Sequence, residues 1–188
     1  MVDTMNNNDR KGGQAPMNEA IQAMTVYTAR CRGNAGNTHY PDRQAITCAD
    51  DLKRAAAFDH VCAEYKNSLR SVETFVKADC LPFDLDNDHS DNPDEWKTLD
   101  DIQATFPGVP FYAIPSRHHL KPKDGKAARP KWHVYFPIDT VTNAEEYRAM
   151  KEKVLELFPW FDPRAKDAAR FLFGVDGAEV ITVGGDGA

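Results

Sequence analysis

Asp84 and Asp86 flank a single apolar residue, Leu85, at the end of the run Cys80–Leu85. If that run is a strand, alternation turns both carboxylates to one face and Leu85 to the other. Two carboxylates held that close repel each other, and the repulsion raises the pKa of one of them. A divalent cation removes the penalty, and hard oxygen donors suit Mg2+ or Mn2+. The same stretch carries a rival pattern. Asp84, Asp86, Asp88, Asn92 and Glu95 stand at positions 1, 3, 5, 9 and 12 of an EF-hand-like calcium loop. Against it, His89 stands where the sharp turn wants Gly and Asp91 where an apolar residue is expected. Pro82 and β-like neighbours precede the stretch in place of an entering helix.

The charges around this pair are segregated. From Asp84 to Asp101 there are eight acids against one Lys, and from Arg117 to Lys131 six Lys or Arg against one Asp. The formal net charge of −6 argues against a nucleic-acid partner only if charge is spread evenly, which it is not. An acidic block beside a basic block can gather cations and phosphates in one cleft; two solvated loops would read the same way. On the following strand Arg129, Lys131 and His133 recur every second residue, so their side chains share a face that can grip a triphosphate. A strand His is also a common structural residue. Asp162 precedes Pro163, which suits a helix N-cap as well as it suits a metal ligand. Asp167 and Arg170 are spaced for a helix-surface ion pair.

The elements that must position these residues alternate along the chain. Met24–Arg32 reads as a strand, and Thr47–Tyr65 as a helix opened by Thr47 and Asp50 with Leu52, Ala55, Ala56, Cys62 and Tyr65 on one face. Ser71–Val76 and Cys80–Leu85 read as strands, and Thr98–Phe106 as a short helix capped by Thr98 and Asp101. Val109–Ser116 and Lys131–Ile138 read as a strand pair around the basic loop. Thr142–Phe158 is a helix with Tyr147, Met150, Val154 and Leu157 on one face, and a last helix runs from Asp162-Pro163 to Gly174. Residues 1–20 read as a flexible lead-in, and 178–188 as a tail or a linker cut short. The hydrophobic fraction of 41% favours one folded domain over disorder, of class α/β (α+β). No apolar run is long enough to cross a bilayer and no signal-peptide pattern opens the chain, so a cytoplasmic protein without membrane contact is expected. Cys31, Cys48, Cys62 and Cys80 form no CxxC pair, which favours free thiols over zinc.

Taken in chain order, Phe83-Asp84-Leu85-Asp86, Lys131-Trp132-His133 and Phe161-Asp162 resemble the motifs of the archaeo-eukaryotic primase superfamily, in the primase-polymerase branch of phages, plasmids and integrated elements. The resemblance spans about residues 25–175 and departs at Lys131, where the family commonly has Ser. It implies a primase core over residues 21–177: an RRM-like mixed or antiparallel sheet with covering helices, joined to a packed N-terminal α/β unit. It implies Asp84, Asp86 and Asp162 as catalytic ligands of two Mg2+ or Mn2+ ions. It also implies His133 and Arg170 as contacts of the incoming nucleoside triphosphate; Lys131 and Arg129, on the face of His133, and Ser116 and Arg117, at the start of the basic loop, are expected to join them. The implied partners are a single-stranded DNA template, a primer and dNTP or NTP, with a monomeric enzyme and a helicase domain following in a longer natural chain. A second class with an RRM-like sheet is the rolling-circle initiator or relaxase nuclease. It would need two His flanking one residue on a strand and a nucleophilic Tyr. His118 and His119 are adjacent instead, and the helical pattern makes Tyr147 a core residue.

Overall fold

The computed structural model describes residues 21–184. In chain order the elements are β1 (Met24–Thr28), β2 (Asp42–Ile46), α1 (Ala49–Ala55), β3 (His60–Val61), β4 (Ala63–Tyr65), β5 (Phe75–Leu85), α2 (Leu99–Thr105), β6 (Phe111–Pro115), β7 (Trp132–Val141), α3 (Ala144–Leu157), β8 (Phe171–Leu172) and β9 (Ile181–Val183). The strands form two sheets, ordered β2-β1-β3-β8 and β4-β5-β7-β6-β9. All their pairings are antiparallel. The class is therefore α+β with two antiparallel sheets and few helices. The chain first passes from the smaller sheet to the larger through one residue, Cys62 between β3 and β4, then returns for β8 and crosses again to β9.

Alternation along β5 sorts the core. Leu81, Phe83 and Leu85 join Phe111, Val134 and Phe136 in a cluster with Ile102 of α2 and Tyr147 of α3. Cys80, and Tyr135 on β7, belong to a second cluster with Met24 and Val26 of β1, Ile46 of β2 and Leu52 of α1. The five-stranded sheet is thus the middle layer, with α2 and α3 on one face and the smaller sheet with α1 on the other. Burying each large apolar side chain contributes roughly 1.5–3 kcal/mol, so both faces anchor the strand that ends in the acidic pair. Asp84 shares the parity of Cys80, and His133 that of Tyr135, so both look toward the smaller sheet.

Several expectations change here. The helix placed at Thr47–Tyr65 ends at Ala55, and its later residues form β3 and β4. Residues 59–63 are buried on every side, so the apolar spacing of Cys62 carried no phase information. Asp59 anchors the exit: its carboxylate accepts backbone N–H bonds from Gly33, Asn34 and Gly174, each at 2.8 Å. A Cβ at Gly174 would come within 2.5 Å of the Phe58 backbone, so only glycine fits that approach. The helix placed from Asp162 to Gly174 is a 3-10 turn, Pro163–Lys166, followed by β8, which pairs with β3. At the start of the first helix Thr47 pairs with Asp51, not Asp50. The cap of α3 is Asn143 in place of Thr142, whereas the Thr98–Asp101 capping box of α2 forms as read. The tail expected from residue 178 is in part β9, which adds to the edge at β6. The expectations for residues 1–20 and 185–188 lie outside the described residues.

Candidate functional site

Asp84 closes β5, and its register partner across the sheet is His133 of β7. His133 Nε2 lies 3.3 Å from Asp84 Oδ1. Burial pushes the His133 imidazole below its ordinary pKa, and the nearby Asp84 and Asp86 only partly offset this. Its Nδ1 is buried and has no hydrogen-bond partner among the described residues. The other oxygen of Asp84 accepts two bonds from Arg170, one from Nε at 3.0 Å and one from Nη2. Arg170 stands there because β8 follows it directly and docks on β3 of the smaller sheet.

Asp162 arrives from the segment after α3. Phe161 is buried and stacks on Phe83, ring centroids 4.8 Å apart, and the Asp162 amide donates to the Asp84 carbonyl at 2.8 Å. Those two contacts bring the second acid to the first. Arg170 Nη2 donates to Asp162 Oδ2 at 3.2 Å, so one guanidinium nitrogen faces carboxylates from two remote parts of the chain. Arg164 covers the outer side, with Nε 3.1 Å from both Asp162 oxygens. Burial alone would raise the Asp162 carboxyl, but hydrogen bonds from the Arg164 side chain and backbone, with the charge of Arg170, outweigh it and hold the carboxyl below its ordinary value. Asp162 also caps the 3-10 turn by accepting the Arg164 amide at 3.0 Å. The cap and the site are the same carboxylate.

Asp86 lies one strand repeat beyond Asp84 but is turned aside. Its Oδ1 accepts from Lys131 Nζ at 3.3 Å, and the same ammonium donates to Asp88 at 3.0 Å. Lys126 also reaches Asp88, at 3.4 Å. The acidic and basic blocks therefore pair with each other and build one wall. Arg129 stands apart from the others. Its side chain is 0% exposed; it donates to the carbonyls of Asn87 and Ser90 and to Asp91, and lies over the Trp96 ring. β7 begins at Trp132, so the two-residue alternation does not extend back to Arg129. It pins the acidic loop and does not line the cavity.

That cavity, about 310 Å3, is lined by Asp84, Asp86, Ser116, Arg117, His133 and Arg170 among others. It unites six of the nine residues singled out from sequence. Asp162 touches it through Arg170, Lys131 holds its rim through Asp86, and Arg129 stays outside. Arg117 is fixed by stacking over the Phe173 ring, 3.6 Å from its centroid. His118, Lys123 and Arg164 line the cavity too and were not singled out. His118 and Lys123 sat inside the basic block, and Arg164 two residues after Asp162, so the signal was present without a means of choosing among neighbours. Burial, and then the charges of Lys123 and Arg117, press the His118 imidazole below its ordinary pKa. A larger cavity, about 580 Å3, shares Arg164 and Arg170 but contains none of Asp84, Asp86 and Asp162, so size does not select the site.

The donor set can be tested against a metal ion. Asp84 and Asp162 offer hard oxygens to one positively charged nitrogen, which is the chemistry a divalent cation needs. Asp86 shares the cavity while bonded to Lys131. Among the described residues no group of three or more His, Cys, Asp or Glu stands together as a ready cage. The calcium-loop residues do not converge: Asp84 is held by Arg170 and His133, Asp88 by Lys131, and Asn92 caps a 3-10 turn. Tyr147 is buried in the core and its hydroxyl donates to the Cys80 carbonyl at 2.6 Å, away from the cavity. No helix among the described residues is long and apolar enough to cross a membrane. No protein-family model, curated protein or solved structure matches the chain.

Proposed function

We propose that the chain is a nucleotidyltransferase of the primase-polymerase kind, adding nucleotides from dNTP or NTP to a strand on a single-stranded DNA template. The observation that carries the reading is the convergence of Asp84 and Asp162 on one guanidinium nitrogen, with His133 behind and a cationic cavity in front. The strand order β5-β7-β6, with α2 and α3 in the connections, supports the RRM-like half of a primase core. The smaller sheet with α1 supports the packed N-terminal unit.

Asp84, Asp86 and Asp162 would hold two Mg2+ or Mn2+ ions, whose charge, when bound, acidifies the attacking 3′-hydroxyl and offsets the charge of departing pyrophosphate. Arg117, Lys123 and Arg170 bind the triphosphate oxygens, and Ser116 adds a hydroxyl donor. Arg170 spans the acids and the cavity, so it joins the two ends of the reacting group. His133, kept neutral by burial, orients Asp84 through Nε2. Lys131 steers Asp86. The reaction asks for positioning and charge stabilisation more than for proton transfer by side chains, which matches a site rich in fixed charges.

The test is primer extension with Mn2+ and labelled nucleotide, by the wild type and by Asp84→Asn with Asp86→Asn. The wild type is expected to extend and the isosteric double variant to lose more than about a hundredfold in rate while keeping its fold. Undiminished metal-dependent synthesis by the double variant would sink the reading. Cutting of DNA without synthesis would point to the nuclease class instead.

A further inference from the structure

A third cavity, about 270 Å3, opens on the other side of the acids and is lined by Asp86, His89, Trp160, Asp162 and Arg164 among others. It shares Asp86 and Arg164 with the triphosphate cavity, so the carboxylates stand between the two. Its wall is aromatic. Trp160 is 40% exposed although its neighbours Phe158 and Phe161 are buried. The His89 ring lies 4.7 Å from it, tilted by 47°, so the two rings form an open corner. Lys97 Nζ sits 4.9 Å from the Trp160 centroid and brings a positive charge to the same corner. None of Trp160, His89 and Lys97 has a part in the triphosphate site.

From this arrangement we infer that Trp160 is the stacking platform for the 3′-terminal base of the strand being extended. The inference rests on the nucleotidyl-transfer reading and deepens it. Two reactants must meet at the acids from opposite sides. One cavity carries the cations that suit a triphosphate. The other carries a flat aromatic surface, which suits a base, with Lys97 and Arg164 placed for the phosphate of the terminal nucleotide. Stacking is indifferent to sequence because every base has a π-face, which is what a template-directed enzyme requires of its primer site. Trp160 is held in place from the chain that follows it, since Phe161 is locked on Phe83 and Asp162 is bonded to the Asp84 backbone.

The experiment uses a single-stranded oligothymidylate with 2-aminopurine at its 3′ end, and a second with the probe at its 5′ end. The wild type is expected to quench the 3′ probe more strongly than the 5′ probe. Trp160→Ala should weaken binding of the 3′-labelled strand about tenfold and remove the quench, and Trp160→Phe should restore most of both. Thermal melting of each variant checks that the fold is intact. Equal affinity and quench for wild type and Trp160→Ala, or equal quench from either end, overturns the inference. Primer extension is measured separately. Synthesis without 3′-selective stacking removes the platform and leaves the enzyme; 3′-selective stacking lost in Trp160→Ala without synthesis removes the enzyme and leaves the platform.

Discussion

Replacing Arg170 with Met tests the charge balance of the site without touching a carboxylate. In the folded chain Arg170 is shared by Asp84 and Asp162, Arg164 pairs with Asp162, and Lys131 is shared by Asp86 and Asp88. The Asp84 and Asp162 side chains are 8% and 6% exposed, and Arg170 is 22% exposed. Removing one partner of a buried ion pair costs roughly 3–5 kcal/mol. Arg164 and His133 remain on the two acids and Arg170 is partly solvated, so the loss is discounted to about 2 kcal/mol. In a domain of this size each kcal/mol moves Tm by about 2–4 °C, which predicts a fall of about 4–8 °C. The variant then presents two carboxylates that lack their shared cation. A divalent ion at a hundred times its Kd stabilises by about 2.7 kcal/mol, enough to recover the loss. Millimolar Mn2+ should therefore raise the Tm of Arg170→Met by several degrees more than that of the wild type, where Arg170 competes for the same oxygens. The assay is thermal unfolding at pH 7 with and without Mn2+ at matched ionic strength. An Arg170→Met variant as stable as the wild type without metal, or one whose Tm Mn2+ raises no more than the wild type's, refutes the reasoning.

Two further outcomes follow from buried groups. His60 donates Nδ1–H to the Phe58 carbonyl and accepts the Tyr135 hydroxyl at Nε2, and burial pushes its pKa down to about 4. The unfolded chain therefore binds the proton first. Stability is full above about pH 6.5 and falls with pH at up to about 1.4 kcal/mol per unit toward pH 4, with His133 adding in the same sense. Urea midpoints at pH 7, 6 and 5 should show the decline and His60→Gln should flatten it; a parallel decline in that variant assigns the effect elsewhere. Arg129→Met should cost about 3 kcal/mol, because the Asn87 and Ser90 carbonyls and Asp91 lose a buried donor. An unmoved unfolding midpoint combined with weaker nucleotide binding would return Arg129 to the proposed phosphate contacts.

The sheet that carries the site was legible because its strands alternate. Leu81, Phe83 and Leu85 against Cys80 and Asp84, and Val134 and Phe136 against His133 and Tyr135, mark two faces without help from the rest of the chain. Both faces of that sheet are buried, and the period stays visible only because Asp84 and His133 mark one of them as polar. Val61, Cys62 and Ala63 are all apolar and buried, so helix and strand fit them equally, and a helix that had begun correctly at α1 was carried too far. After Asp162-Pro163 the local chemistry favours a helix start, but pairing of β8 with β3, remote in sequence, decides the outcome. The same limit governs the site. Asp84 and His133 were legible as motif residues on strands, though not as register partners. The contacts of Arg170 with Asp84, and of Trp160 with His89 and Lys97, depend on how remote segments fold back, which no local pattern records.

The hydrogen bond from the Asp162 amide to the Asp84 carbonyl has an evolutionary consequence. It belongs to the backbone, so it survives replacement of either side chain except by proline at 162. The Phe83–Phe161 stack beside it is likewise indifferent to what the acids become. A descendant that had lost both carboxylates would still bring positions 84 and 162 to the same crossing and keep the cleft open around them. At this point the architecture is heritable apart from the carboxylates, and the crossing can outlast them.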